Sequence, residues 1–597
     1  MNAHKLLLIA FLATACRPLP EPARGAHGAT DVGRAQTLAV DGRYVPAADR
    51  RAALFPASWP HKAGRAPVLG ASAMVASDAP LGSAAGTEIL KHGGNAVDAA
   101  VAVGFAMAVA YPEAGNIGGG GYMVIHMADG RTAALDYREV APLAATRNMY
   151  VDANGKLTSN SVEGPLSPGV PGVVAGLTAA LARYGTLSLA DVMAPAIRYA
   201  EQGIVVDSAL ARSVKNSGGL IEKFGGGALF MPNGSSLATG STFQQPALAR
   251  TLRAIAAQGR DAFYRGPIAE AWTSELKRAG GIITLADLAR YAPVWREPVR
   301  STYRGYTLLT MPPSSSGGVT ITETLNILEG YETLPAHGSA RWAHLLGSAF
   351  QRSFIDRNEK LADPAFASVP MAQLVDKAYA ATLRATIGSM RATPTPALAK
   401  SMREGMETTH YSVVDAKGNA VSTTTTLNNL YGSGVFIASA GFFLNDEMDD
   451  FAAQPGTPNM FGLVQGEANA IQPGKRMLSA MSPTVVLDRD GSLLLVVGSR
   501  GGPRIITSTA EVILNVLDYK MSLADAMSAP RVHHQALPDS LVVETDGLSS
   551  TVTDSLRAMG YGVSTRSSVG LVNAVMRSGG RLEGVSDPRS SGKPIGY

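Results

Sequence analysis

Apolar positions in this chain follow two different periods, and the change from one to the other divides it. Residues Ala96 to Ala110 are almost wholly apolar, which predicts a buried helix. Asn95 stands just ahead as an N-cap, and Asp98 puts a carboxylate in the first turn, where the helix dipole favours it. The run ends at Tyr111-Pro112, too short for a membrane span. Gly115 to Gly121 follows, and then Tyr122 to His126 reads as a strand. Helical periodicity dominates from about 170 to 390, interrupted by glycine-rich residues 218–227 and by Met311 to Gly318.

After Thr408 the period becomes that of strands. Tyr411–Val414 and Ala420–Leu427 flank Asp415-Ala416-Lys417-Gly418-Asn419, a hairpin signal, and Val485–Leu487 with Leu493–Val497 repeat it around Asp488 to Gly491. Helices return at Ile505–Tyr519 and Leu523–Met527. An α-rich part feeding a strand-rich part, both ending in helices, predicts sheets sandwiched between helical layers. The globular body is expected to begin near Ser72, residues 16–70 being rich in Pro, Arg, Ala and Gly without a sustained period, as in a flexible spacer. There is no internal repeat.

Composition narrows the function. Charged residues are 17% of the 597, with Gly and Ala filling the difference, as in a tightly packed enzyme. A net charge of +4 without dense Lys/Arg blocks leaves no electrostatic footprint for nucleic acid. Residues 1–15, a basic flank and the short apolar core Leu6 to Leu12 ending in Ala13-Thr14-Ala15, read as an export signal. The only cysteine, Cys16, follows at once. It resembles the lipidated cysteine of a bacterial lipoprotein; plain secretion after Ala15 is the alternative. Either way the expected location is the cell envelope, periplasmic or membrane-anchored, or outside the cell, and a body free of cysteine suits an oxidising compartment.

The candidate chemistry lies at Thr408-Thr409-His410-Tyr411-Ser412, with a second threonine run at Thr423–Thr426. A threonine hydroxyl becomes a competent nucleophile when its own α-amine is free to act as base, and that amine titrates near pH 8. In the intact chain the nitrogen of Thr408 is an amide, so this reading requires cleavage between Glu407 and Thr408. An ordinary strand is the bland alternative for so threonine-rich a segment.

The blocks Thr408–Ser412, Leu444–Phe451, Lys475–Thr484 and Gly501-Gly502 resemble those of γ-glutamyltranspeptidases, enzymes of the N-terminal-nucleophile fold. The likeness extends to Gly115–Gly121, Asp136–Glu139, Ala529–Gln535 and Asp587–Arg589, covering the chain from about residue 72. It implies an α+β fold, a four-layer αββα sandwich formed by two chains from one precursor: a heavy chain, 71–407, and a light chain, 408–597. It also implies cleavage of the γ-glutamyl amide of glutathione and related compounds, with transfer to water, amino acids or peptides.

On this resemblance Thr408 is the nucleophile, Thr426 orients it, and Gly501 and Gly502 offer N–H groups to the oxyanion. Arg138 and Ser479 match the groups that bind the α-carboxylate, and Asn428, Glu447 and Asp450 those that accept from the α-ammonium. Ala480 stands where many members carry a second serine, and Phe461, in a lid-like loop Pro455–Gly462, where a tyrosine is common. No cofactor or metal is expected: His410, His533 and His534 lack metalloenzyme spacing and read as structural. Two rivals remain. A glutaryl or cephalosporin acylase would share the machinery but have no use for Asp450; an inactivated binding protein would remain uncleaved.

Overall fold

A computed structural model of the protein describes residues 55–395 and 408–597, with the backbone of two short strands, Ala39–Val40 and Arg43–Tyr44. Residues 1–15, where an export signal is expected, Cys16 and Glu407 lie outside the described residues.

Two seven-stranded sheets, antiparallel throughout, form the centre. The first runs, in spatial order, Ile595–Gly596, Met74–Ser77, Thr408–Val414, Ala420–Thr426, Gly120–His126, Thr132–Asp136 and Val294–Arg296. The second runs Val299–Tyr303, Tyr306–Thr310, Thr484–Leu487, Leu493–Arg500, Leu571–Ser578, Arg581–Ser586 and Val68–Gly70. Met74, Tyr122 and Val414 of the first meet Leu309, Val496 and Val575 of the second in one buried layer. Helices Ala96–Ala110, Val173–Tyr184 and Leu189–Gln202 cover the outer face of the first sheet. Gly317–Glu329, Ala340–Lys360 and Arg504–Leu517 cover that of the second. This is the expected αββα sandwich.

The strand starting at Thr408 sits third in its sheet because both of its faces are apolar or hydrogen-bonded. Tyr411 and Val413 pack on the helices, while Val414 points between the sheets; by the two-residue period, Thr408, His410 and Ser412 point between the sheets as well. Its turn is pinned by Asp415, whose Oδ1 accepts from Lys417 N at 2.9 Å and Asn419 N at 3.0 Å. The other oxygen of Asp415 accepts from Ala96 N at 2.9 Å, tying the hairpin to the start of the buried helix. That helix carries the expected cap: Asn95 Oδ1 accepts from Val97 N at 2.8 Å and Asp98 N at 3.1 Å, and Asp98 Oδ2 accepts from Asn95 N at 2.7 Å.

Three boundaries differ from the sequence expectation. The body begins before Ser72: Trp59 is buried among the helices of the second sheet, its Nε1 donating to Ser528 O at 2.8 Å, and Val68–Gly70 is an edge strand. Losing a buried tryptophan ring costs about 3–5 kcal/mol, so this part of the spacer is structural. Within the region read as helical, Val299–Tyr303 and Tyr306–Thr310 form a hairpin. Beyond residue 530 the chain does not stay helical: Leu571–Ser578 and Arg581–Ser586 complete the second sheet. Short strands whose two faces are both covered lack a clean alternation.

Candidate active site

Thr408 begins its strand opposite Thr426, and the two hydroxyls lie 3.3 Å apart. Thr426 Oγ1 also accepts from Asn428 N at 2.8 Å. The backbone of Thr426 is held in turn: its carbonyl accepts from Asn116 Nδ2 at 3.0 Å, and Asn116 Oδ1 accepts from Gly119 N at 2.6 Å. The glycine run explains this closeness. A Cβ at Gly119 would stand 2.0 Å from Thr426 O, and one at Gly121 2.5 Å from Thr424 O, so only glycine lets the strand Gly120–His126 approach the threonine strand here.

Beneath Thr408 the space between the sheets is polar and paired. His410 bridges Thr424 Oγ1, 2.8 Å from its Nδ1, and Ser412 Oγ, 3.0 Å from its Nε2. Ser412 and Ser422 donate to the carbonyls of Val496 and Val497 in the other sheet, at 3.3 and 3.1 Å. Burial pushes the His410 pKa down to about 3, so the ring is neutral wherever the fold is intact. On the opposite face Thr409 Oγ1 donates to Asp78 at 2.9 Å. His533 is likewise paired, to Thr507 and Gln535, and burial lowers its pKa to about 3; Ala536 N donates to His534 Nδ1 at 3.1 Å.

Thr408 and Thr426 open into a narrow cleft that also takes in Arg138, Asn428, Glu447, Asp450, Ser479 and Gly502. Gly502 has φ +59°, and a Cβ there would strike the Phe461 ring at 2.8 Å. Gly501, φ +128°, directly precedes it, in the turn between the strand ending at Arg500 and the helix starting at Arg504. Asn428 also takes a left-handed backbone, φ +79°, uncommon outside glycine. Its Nδ2 donates to Asp446 O at 3.2 Å and lies 3.7 Å from Met460 Sδ. Phe461 is buried, its carbonyl accepting from Gln535 Nε2 at 3.0 Å.

The charged end of the cleft is denser than the sequence implied. Arg138 is 1% exposed and pairs with Glu447 Oε2 at 2.6 Å and, through Nη2, with Asp450 Oδ2. Burial opposes its charge, but Glu447 and Asp450 outweigh burial and hold the guanidinium firmly protonated. Its backbone is fixed by Asp136, whose Oδ1 accepts from Arg138 N at 3.1 Å. Burial alone would raise the Asp136 carboxyl; Arg476 and Arg296 beside it bring its pKa below the usual value. Glu139 lies 3.7 Å from Arg138 Nη1, fully buried, and among the described residues neither carboxyl oxygen has a hydrogen-bond partner. Burial raises its pKa to about 8 and holds Glu447 well above the usual value too, with Asp450 also raised, so Glu139, Glu447 and Asp450 titrate as a set that holds a proton at neutral pH.

Two parts of the cleft were not picked out from the sequence. Arg357 and the Ser314–Ser316 turn look like a helix-surface charge and a loop, yet both are buried. Arg357 lines the cleft, and Ser316 N donates to Ser479 O at 2.8 Å. The only signal was the interruption at Met311–Gly318. Among the described residues no group of three or more His, Cys, Asp or Glu is placed to hold a metal ion.

Two stacked sheets between helices, with a threonine heading a central strand and opening into a cleft, define an N-terminal-nucleophile hydrolase. Cephalosporin acylase from Bacillus halodurans superposes with a TM-score of 0.80 at 27% identity, covering 91% of this chain and 99% of that one. The chain belongs to the gamma-glutamyltranspeptidase family, whose model matches residues 82–597. The glutathione hydrolase proenzyme of Pseudomonas sp. (strain A14) is 46% identical over 543 residues, covering 90% of this chain and 93% of that one. The acylase ACY 1 proenzyme of Pseudomonas sp. (strain SE83) is 40% identical over 540 residues, covering 89% and 94%.

Proposed function

We propose that this protein is a self-processing γ-glutamyltransferase and glutathione hydrolase. The observation that carries the reading is one cleft holding both parts such a reaction needs. The hydroxyl of Thr408 lies 3.3 Å from that of Thr426, and the same cleft holds a buried arginine bracketed by two carboxylates.

Maturation comes first. Thr408 Oγ adds to the carbonyl of Glu407, the C–N bond breaks to free the Thr408 α-amine as an ester forms, and water hydrolyses that ester, releasing the Glu407 carboxylate and restoring the Thr408 hydroxyl. That amine then takes the Oγ proton as Oγ adds to the γ-carbonyl of the donor. The N–H groups of Gly501 and Gly502 receive the oxyanion, where losing one donor typically costs about a hundredfold or more. The amine returns its proton to the leaving amine, and water or an acceptor amine resolves the acyl ester. Arg138 and Ser479 bind the α-carboxylate; Asn428, Glu447 and Asp450 receive the α-ammonium. The ion pair to Arg138 presents both signs of charge a few ångströms apart, as an α-amino acid end requires.

A glutaryl-type acylase is the second reading. Ala480, Phe461, Leu463 and Met481 line the cleft without a hydroxyl, which suits a less polar acyl group. Glu447 and Asp450 weigh against it, because an acyl group whose carboxylate takes Arg138 from them and which has no amine brings no cation in return.

The test begins with intact mass and N-terminal sequencing after incubation at neutral pH, followed by turnover of γ-glutamyl- and glutaryl-p-nitroanilide. Two chains, the lighter starting at Thr408, with the γ-glutamyl donor preferred, would support the proposal. A stable single chain would sink it, and preference for glutaryl would transfer it to the acylases. Export with lipidation of Cys16 is part of the same proposal: labelling with a palmitate analogue should be lost in C16S.

A further inference from the structure

The cleft holds two buried arginines, and only one has carboxylate partners. Arg357 comes from the helix Ala340–Lys360, is 1% exposed and lines the same cleft as Thr408 and Arg138. Its Nε donates to Ser316 Oγ at 3.0 Å and its Nη1 to Asn358 Oδ1 at 2.8 Å. Among the described residues Nη2 has no hydrogen bond, and no carboxylate forms an ion pair with this guanidinium. A buried cation without a counterion is costly, and burial lowers the Arg357 pKa only to about 10. It stays charged at neutral pH, so a compensating anion is called for.

We propose that Arg357 is the second guanidinium for the donor's α-carboxylate. That group is held between Arg138 and Arg357 while Glu447 and Asp450 turn to the α-ammonium. The inference rests on the γ-glutamyl reading above and adds to it a residue and a division of charge. With one proton held among Glu139, Glu447 and Asp450, Arg138 alone faces two negative charges and the cluster has one in excess. Arg357, near enough to Asp450 to draw its proton affinity down, makes the set neutral. A donor's α-ammonium and α-carboxylate together add no net charge, so the filled cleft stays neutral. Without Arg357, the entering carboxylate meets a net negative site, or Glu447 or Asp450 must protonate and lose its attraction for the ammonium.

Two further contacts fit. Ser316 joins Arg357 to the backbone of Ser479, so the new group and the expected hydroxyl donor are set by one turn. Ala480, beside Ser479 in the cleft, offers no hydroxyl, leaving room for a second anion contact from Arg357.

Arg357→Gln and Arg357→Lys, assayed with γ-glutamyl-p-nitroanilide and with 4-aminobutanoyl-p-nitroanilide, test this, because the second donor lacks only the α-carboxylate. R357Q should mature normally and keep kcat within a few-fold. Its KM for the γ-glutamyl donor should rise about 10- to 100-fold, the range for a hydrogen bond to a charged group. The carboxylate-free donor should change less than about threefold, so the wild-type preference for the carboxylate falls by about tenfold or more. R357K, which keeps the charge and loses the fork, should recover part of it. An equal loss on both donors, or an unchanged preference, overturns the proposal. So does failure of both variants to mature, which would make Arg357 a folding residue. If the wild-type protein itself does not turn over the γ-glutamyl donor, it is the functional reading that has failed.

Discussion

The two ends of the cleft are built on opposite principles. Below Thr408, His410, Ser412, Ser422 and Thr424 form a neutral seam in which each hydrogen-bonds across the seam or to the facing sheet. Around Arg138, Glu139, Glu447 and Asp450 outnumber the guanidinium they surround, and among the described residues Glu139 has no hydrogen bond to either oxygen. The first arrangement fixes a position and does not titrate near neutral pH. The second stores charge that a ligand of the right charges can rearrange. Fully satisfied networks rigidify, whereas unpaired buried groups are costly until something pairs them. On the proposed function the chemistry therefore sits on the rigid end and the selectivity on the charged one.

That division sorts the expected effects of substitution. Thr408→Ala removes the proposed nucleophile and should block both the cleavage before residue 408 and turnover, by at least about a thousandfold; mass spectrometry shows the first and a p-nitroanilide assay the second. Cleavage at the same bond in this variant would mean that Thr408 does not process itself. Thr426→Val keeps shape but deprives Thr408 Oγ1 and Asn428 N of a partner. Misplacing a reacting group by an ångström can cost about a hundredfold, so kcat should fall about 10- to 100-fold with KM nearly unchanged. A pure KM effect would erase the contrast between the two ends.

On the charged side the split should reverse. Arg138→Gln leaves Glu447 and Asp450 without a cation at ion-pair distance and takes the main contact from the α-carboxylate. KM for γ-glutamyl donors should rise about 10- to 100-fold, while maturation, which needs no α-amino acid end, proceeds. If R138Q instead stops maturation, Arg138 holds the fold together and recognition must lie elsewhere.

How much of this the chain disclosed follows the same division. The buried helix after Asn95, the Asp415 turn and the strands beside it were legible because caps and turns are local and the residues that make them adjoin. The Thr408 block was legible because it is contiguous. Arg357 was not, since a lone arginine among charged residues on a long helix reads as solvent-facing, and its burial depends on the Ser314–Ser316 turn some forty residues earlier. The hairpin Val299–Thr310 and the C-terminal strands were missed for a related reason: with both faces covered by other layers, their pattern loses the alternation that marks a strand. Trp59 was missed because composition described its surroundings as a spacer, while a single large ring docking on distant helices leaves no periodic trace.

The smallest expected effect tests whether the charged end keeps its proton. The Glu139 carboxyl titrates near 8 in the folded protein against an ordinary 4.5, because burial disfavours its ionised form. The folded state thus holds a proton the unfolded chain has released over this window. Stability from this group is full below about pH 4.5 and is lost progressively as pH rises towards 8. Glu139→Gln is neutral throughout and should lose that slope. Glu447, raised by burial and also by the charge of Glu139 itself, titrates with it and keeps part of the slope in E139Q. The wild-type melting temperature should therefore fall further between pH 5 and pH 8 than that of E139Q, by something on the order of 1–2 °C for a chain of this size. Parallel melting curves across that interval would place the proton on Glu447 or Asp450 instead. The charge count that gives Arg357 its role would then need a different neutral partner.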